Sequence, residues 1–344
     1  MKAAIIGTTG YGGGELIRIL ANHPYISIHS IHTTRDEKPV SDEYPHLTGI
    51  FDKVLTKIDS DKIAEEADIV FLATPSKVSG KLVESFFNKG IKVIDLSGDL
   101  RLRDGSAYQE WYKHDPVDAS VLNEAIYGLC EWNREQIMDA RLLANPGCYP
   151  TAALLGLAPV LKEKLIETNS IIIDAKSGVS GAGRSPSMGT LYAELNENFK
   201  IYKVNEHQHI PEIEQQLSLW NGEEVKITFS THLIPVTRGI MATIYVQLKE
   251  ESNTSRLLDL YKETYDGHPF IRVRKNGVFP SVKEVKGSNY CDIGLHSDSR
   301  TGRLTIVSVI DNLMKGAAGQ AVQNANIMFG FKESAGIEMI PLYP

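Results

Sequence analysis

The chain has 344 residues, which at roughly 100–200 residues per domain argues for two domains or one large α/β unit and excludes a minimal disulfide- or zinc-stapled module. Hydrophobic residues make up 42% and charged residues 23%, the composition of a folded, water-soluble protein rather than a disordered or collagen-like one. A formal charge of −7 and a pI near 5.8 offer no basic surface for phosphate backbones or anionic lipid, so neither nucleic acid nor membrane is expected as a partner.

From residue 1 to about 147 strand and helix patterns alternate. Lys2–Ile6 reads as a buried strand, Glu15–Ala21 as a helix, and Ile26–Thr33 and Ile69–Ala73 as strands. Lys77–Asn88 reads as a helix, Lys92–Leu96 and Arg141–Ala144 as strands. Such alternation predicts a parallel sheet with helices on both faces. Beyond Cys148 the pattern changes. A helix over about Pro150–Glu163 precedes strand Ser170–Ala175 and a Gly/Ser-rich loop, Ser177–Gly189. A helix at Pro211–Trp220 is followed by two close strand runs, Val225–His232 and Met241–Leu248, which suggests antiparallel pairing and an α+β half. The last helix, about Asn312–Phe329, clusters its small residues in Gly316-Ala317-Ala318-Gly319, which permits close packing on another element. No repeat and no low-complexity segment is visible.

No secretion signal opens the chain, and the longest apolar stretch, Thr151–Leu161, is broken by Gly156 and Pro159 and falls short of the ~18 residues of a membrane span, so a cytoplasmic location is expected. Three cysteines, Cys130, Cys148 and Cys291, are too few and too scattered for a disulfide framework.

Gly7-Thr8-Thr9-Gly10-Tyr11-Gly12-Gly13 follows the first strand and opens a helix. Glycines at 7, 10 and 13 allow a tight turn and a close backbone approach, so that the first N–H groups of the helix can face a pyrophosphate. The spacing is GxxGxxG rather than GxGxxG, and an ordinary glycine-rich turn is the competing reading. About 20 residues on, where a carboxylate would bind a ribose 2′-hydroxyl, stand Thr33, Thr34 and Arg35. Two hydroxyls and a guanidinium suit a 2′-phosphate, favouring NADPH over NADH, with Asp36 as a neighbouring opposite charge.

Asn145-Pro146-Gly147-Cys148-Tyr149-Pro150 sets a cysteine between a strand end and a helix start. Orphan N–H groups and the helix dipole there stabilise a thiolate, which is how a nucleophile is prepared. Cys130 and Cys291 read as core filler. An acid/base partner is supplied by His207 and His209, which precede a proline-started helix whose carboxylates can orient an imidazole. Two histidines at i and i+2 could be metal ligands, yet no further ligand stands at a recognisable spacing, and no metal is expected. The residues leave open which histidine faces the thiol.

The chain resembles the N-acetyl-gamma-glutamyl-phosphate reductases, NADPH-dependent enzymes of arginine biosynthesis. The resemblance rests on Gly7–Gly14, Asp95–Leu102, Tyr127–Leu129, the Cys148 segment, Ser177–Arg184, His207–Gln215, His232–Ile240, Gly287–Gly294 and Asn312–Asn324. It departs at Ser76, where the family often has histidine, and at Gln208, where arginine is common. The resemblance implies a Rossmann-type NADP domain, residues 1–147 with 313–344, and an α+β catalytic and oligomerisation domain of the semialdehyde dehydrogenase type, residues 148–312. It implies that Cys148 attacks an acyl phosphate to give a thioacyl enzyme, which NADPH reduces to a semialdehyde. It also implies His209 as leading acid/base with His207 second, and Ser177, Gly178 and Asn312 near the cofactor. Arg101, Asn145, Ser180, Arg184, Glu212 and Arg238 are then candidates for holding the anionic substrate, although Arg238 in particular could instead form a structural ion pair. A homodimer or homotetramer is expected. The competing assignments are the aminoadipyl-phosphate reductase of lysine biosynthesis, a non-catalytic NADP-sensing protein and a cysteine hydrolase.

Overall fold

A computed structural model describes residues 1–35 and 37–344; Asp36 lies outside the described residues. The chain divides into two compact units, one formed by 1–147 with 317–338 and the other by 148–316 with 339–344.

The first unit is built on eight strands: β1 (Lys2–Ile6), β2 (Ser27–His32), β3 (Lys38–Pro39), β4 (Val54–Thr56), β5 (Ile69–Leu72), β6 (Lys92–Asp95), β7 (Ala125–Tyr127) and β8 (Leu142–Ala144). Their order is β3-β4-β2-β1-β5-β6-β8-β7, and every pair is parallel except β3 with β4. Both faces are covered, as the near-continuous apolar runs require. Ala4, Ile6, Val70, Leu72 and Val93 pack with Val83 and Phe86 of the helix Val78–Phe87. Ala3 and Ile5 on the opposite face have no exposed surface either. The terminal helix, Gly319–Met328, packs on the helices Tyr11–Leu20 and Cys130–Asp139.

The second unit has seven strands: β9 (Ile166–Gly178), β10 (Lys200–Tyr202), β11 (Thr228–Ile234), β12 (Ile240–Leu248), β13 (Ile271–Val273), β14 (Cys291–Asp298) and β15 (Arg303–Ile310). Their order is β10-β11-β9-β12-β15-β14-β13. The expected antiparallel partnership of the two close runs does not form: β9 lies between them, parallel to β11 and antiparallel to β12. Strand β9 runs on through Ser177 and Gly178, so these two residues end a strand instead of opening a loop.

The helix Cys148–Lys162 packs against β9, β12, β14 and β15 and against the helices Ile210–Asn221 and Thr254–Thr264. Burial alternates along β12: Ile240, Ala242, Ile244 and Val246 are buried, while Met241, Thr243, Tyr245 and Gln247 are half-exposed. That period of two marks a sheet with one face in the core. Pro159 inside the Cys148–Lys162 helix has no N–H for the carbonyl of Leu155, and the hydroxyl of Tyr265 donates to that oxygen. The carbonyl that the proline leaves without its helical donor is thereby satisfied in the core.

Candidate active site

In the first unit the glycine loop divides its work. Gly7 has φ +88°, and a Cβ there would lie 2.5 Å from the carbonyl oxygen of Ala73. A Cβ at Gly13 would lie 2.5 Å from the Gly7 oxygen. Gly10 and Gly12 meet nothing closer than 3.6 Å, so there the missing side chain leaves bare backbone open to a ligand. Gly10 caps the ten-residue helix Tyr11–Leu20 without a side-chain hydrogen bond, and the helix has no acidic residue in its first turn. Its orphan N–H groups therefore suit a pyrophosphate. Tyr44, which the sequence did not signal, donates from its hydroxyl to the Gly10 carbonyl (2.8 Å), and its ring covers Gly14.

Thr9 is half-buried and Tyr11 exposed at the loop, but Thr8 is buried and donates to the His32 carbonyl (3.1 Å). The side chain of Thr8, expected at the cofactor, is thus tied to the end of β2. Thr34 and Arg35 are exposed after β2, whereas Thr33 is buried and accepts the Arg35 backbone N–H (3.1 Å).

Two residues expected at the substrate are scaffold in the same unit. Arg101 is buried and donates from Nε to the Asn145 carbonyl (2.9 Å) and from Nη2 to the Leu96 carbonyl (2.8 Å). Asn145 has no exposed surface; its amide donates to the Ala317 carbonyl (3.1 Å) and accepts from Asn324 (3.1 Å). Ser76, at the first departure from the family pattern, accepts the Gly98 N–H (3.2 Å).

In the second unit the helix starts at Cys148 itself, two residues before the expected Pro150. From Leu142 to Leu161 Cys148 is the one residue that is not buried. None of the three cysteines is in a disulfide. Tyr149, next in the chain, places its ring edge-on to both imidazoles, with centroids 5.5 Å from His207 and 6.3 Å from His209. Its hydroxyl lies 3.2 Å from that of Tyr202. Burial, then the neighbouring phenol and the Cys148 charge, push Tyr149 above the usual phenol range, so it stays protonated.

The two histidines differ in kind. His207 accepts the His209 backbone N–H at Nδ1 (3.2 Å) and is ringed edge-on by Tyr149, Tyr202 and Phe229. Burial, helped by the charges of His209 and Lys203, lowers it from 6.5 to about 2, so it is neutral at working pH. His209 caps the helix Ile210–Asn221 and lies 2.8 Å through Nδ1 from Oε2 of Glu212. A carboxylate only accepts, so Nδ1 carries a proton, and in the neutral ring the lone pair then lies on Nε2. Glu212 has no exposed surface. It was expected beside the substrate, and the contact its carboxylate makes is with His209 Nδ1. Gln208, the second departure, takes a long contact from Lys203 Nζ (3.5 Å).

Three further expected contacts are tied internally. Arg238 forms a two-pronged ion pair with the buried Asp311, Nε to Oδ2 at 2.9 Å and Nη2 to Oδ1 at 3.0 Å. Asn312 donates to Ser180 Oγ (2.9 Å) and accepts the Gly239 N–H (2.8 Å). Ser177 is buried and donates to the Gly178 carbonyl (3.0 Å). Gly178 is glycine for a steric reason, since a Cβ would lie 2.9 Å from the Arg238 backbone nitrogen. Arg184 is exposed beyond the short helical turn Val179–Ala182. Among the described residues no group of three or more His, Cys, Asp or Glu is placed to hold a metal ion, and no helix is long and apolar enough to cross a membrane.

Residues 2–140 match the semialdehyde dehydrogenase NAD binding domain, and residues 148–312 match the semialdehyde dehydrogenase dimerisation domain. An N-acetyl-gamma-glutamyl-phosphate reductase of Geobacillus sp. (strain WCH70) is 58% identical over 345 residues, covering 100% of both chains. The chain belongs to the semialdehyde dehydrogenase family, among the N-acetyl-gamma-glutamyl-phosphate reductases. A relative of the same name from Bacillus cereus (strain AH187) is 55% identical over 344 residues, again covering 100% of each. Among solved structures, aspartate semialdehyde dehydrogenase II of Vibrio cholerae, complexed with ASA, superposes with a TM-score of 0.73 at 16% identity, over 96% of this chain and 98% of that one. The NADP-bound enzyme of Candida albicans gives 0.71 at 17% identity, over 95% and 98%. These two establish the fold alone. The family resemblance read from the motifs holds, as does the expected pairing of a dinucleotide-binding α/β domain with a semialdehyde dehydrogenase dimerisation domain.

Proposed function

We propose that this reductase converts N-acetyl-gamma-glutamyl phosphate to N-acetylglutamate semialdehyde and phosphate with NADPH, through a thioacyl intermediate on Cys148. The observation that carries the reading is the accessible Cys148 at the first position of a buried helix, in a unit that also holds a tautomer-fixed His209–Glu212 pair. Cys148 Sγ attacks the acyl carbonyl; the S–C bond forms, the C–O bond to phosphate breaks, and phosphate leaves with the electron pair. His209 Nε2 takes the thiol proton in the attack, and the resulting N–H faces the carbonyl oxygen as negative charge develops on it. When bound, NADPH supplies the hydride that takes the thioester carbon to the aldehyde level. Collapse then breaks the S–C bond and returns the Cys148 thiolate. Helix-terminal N–H groups favour that thiolate at both ends of the cycle.

Exposed Thr34 and Arg35 after β2 support NADPH over NADH. The half-exposed face of β12, with Ile172 on β9 38% exposed, supports a homodimer seated on this sheet face; a homotetramer is the alternative that light scattering would distinguish. In the assay, N-acetylglutamate semialdehyde, phosphate and NADP generate NADPH absorbance, and Cys148→Ser abolishes it. Turnover of the aminoadipate analogue with none of the glutamate compound would overturn the substrate.

A further inference from the structure

The two residues after β15 tie together separate segments of the second unit. Besides Arg238, the Asp311 carboxylate accepts the N–H groups of Gly287 (2.7 Å), Leu313 (2.8 Å) and Met314 (3.1 Å). Its carbonyl accepts the Gly316 N–H (3.0 Å) from five residues on, and Met314–Ala318 is a π-helical turn. Such turns are rare and concentrate at functional sites. This one brings Gly316 against the nucleophile: a Cβ built on Gly316 would lie 2.7 Å from Cys148 Cβ and 3.2 Å from Cys148 Cα. On the other side it would meet Ile310 Cδ1 at 3.3 Å. The Cys148 atoms in contact are the backbone Cα and the first side-chain atom, Cβ, whose position the backbone fixes, so neither can swing aside as the end of a long side chain would.

We infer that Gly316 is a positioning residue for the reaction, the floor of a seat for Cys148 that only a residue without a side chain can form. The inference rests on the reading of Cys148 as nucleophile. Asp311 sets the height of the floor by folding the π turn, and Arg238 fixes Asp311. Arg238 thus acts on the chemistry through the turn rather than by gripping the substrate. A displacement of the attacking atom by about 1 Å costs on the order of 10²-fold in rate.

The test is Gly316→Ala in the full-length enzyme, read by steady-state kinetics, the pH dependence of iodoacetamide alkylation at Cys148, NADP binding and thermal melting. The expected result is a kcat about 10²-fold lower with a displaced alkylation profile and an unchanged NADP Kd. Ile310→Val added to Gly316→Ala removes the atom on the far side of the seat, and recovers about tenfold of the lost kcat. A kcat for Gly316→Ala within about threefold of wild type overturns the inference. So does a double variant that melts like wild type yet recovers nothing. Should Gly316→Ala fail to fold, Arg238→Lys decides: lower kcat at unchanged KM for the acyl phosphate is expected, whereas raised KM at unchanged kcat restores Arg238 to the substrate and overturns the inference. Cys148→Ser runs in parallel. Activity retained there sinks the nucleophile reading itself; activity lost there, with Gly316→Ala unimpaired, sinks only the seat.

Discussion

Replacing Glu212 by glutamine keeps the side chain's size and removes its charge at a position with no exposed surface. In the native enzyme the Glu212 carboxylate can only accept, and its 2.8 Å contact keeps the proton on His209 Nδ1 and the lone pair on Nε2. A glutamine amide can turn its NH₂ toward Nδ1 and hold the opposite tautomer, in which Nε2 carries a proton and cannot receive one. A hydrogen bond to a charged group contributes about 1.5–3 kcal/mol, or roughly 10- to 150-fold, and sets the lower bound for the loss. The whole of general acid–base catalysis, typically about 10²–10⁴-fold, sets the upper one. The expected loss in kcat for Glu212→Gln is therefore about 10²-fold, with NADP affinity unchanged because the glycine loop lies in the other unit. Groups that act as one device are not additive. His209→Asn should lose at least as much, and Glu212→Gln added to it should lose nothing more. Kinetics of the two single variants and the double, each checked by melting, complete the cycle. Equal, multiplicative losses would show that Glu212 acts independently of His209. Full activity in His209→Asn with none in His207→Asn would reverse the assignment of the two rings.

Four other outcomes follow from the same geometry. Tyr44→Phe removes the hydroxyl that holds the Gly10 carbonyl and should weaken NADP binding by about three- to tenfold in a fluorescence titration, a net hydrogen bond being about 0.5–1.5 kcal/mol. Arg35→Ala should raise the KM for NADPH by about 10- to 100-fold and leave that for NADH unchanged, as loss of a charge-assisted contact predicts. Tyr265→Phe leaves the Leu155 carbonyl without its donor in the core and should lower stability by about 1–3 kcal/mol in urea unfolding, with m unchanged. His207 gives a pH test. Its pKa is lowered to about 2 in the fold against 6.5 unfolded, so only the unfolded chain binds this proton between those limits. Stability is then full above pH ~6.5 and falls as pH drops, by about 1.4 kcal/mol per pH unit. Asp95, raised from 3.8 to about 6 chiefly by burial, has the opposite slope between those values. The clean readout is therefore the difference between wild type and His207→Gln, which should shrink by about 1.4 kcal/mol from pH 7.5 to 5.5.

Features carried by neighbouring residues were legible in the sequence. Strand β1 was read to the residue, and the glycine loop, the Cys148 turn and the two histidines were singled out from local chemistry. The parallel pairing of the first unit was legible too, but the pairing of the second was not, because β9 separates β11 from β12 and no short-range signal says so. Strands β14 and β15 and the helix Thr254–Thr264 went unread among their polar neighbours, though Arg303–Ile310 is largely apolar. The role of Glu212 was half legible: its spacing from His209 places both on one helical turn, but its burial, which decides for orientation over substrate contact, follows from tertiary packing. Gly316 stood in a cluster of small residues that signalled close packing without naming Cys148 as the neighbour.

The arginines mark where sequence reasoning reaches its limit. A guanidinium near an anion-binding motif suggests a clamp, yet Arg101 is taken up by two backbone carbonyls and Arg238 by a carboxylate 73 residues away. Burying a charge is costly unless it is paired, so an arginine brought into the interior is claimed by the nearest acceptor of the fold. Each buried arginine thus braces its own unit: Arg101 ties Leu96 to Asn145 in the first, and Arg238 holds Asp311 in the second. Helix-terminal and turn N–H groups need no such compensation, and Arg184 stays exposed. An enzyme with a net charge of −7 can therefore handle a phosphorylated substrate without a basic surface, since backbone dipoles carry no counter-charge that must be neutralised when the site is empty.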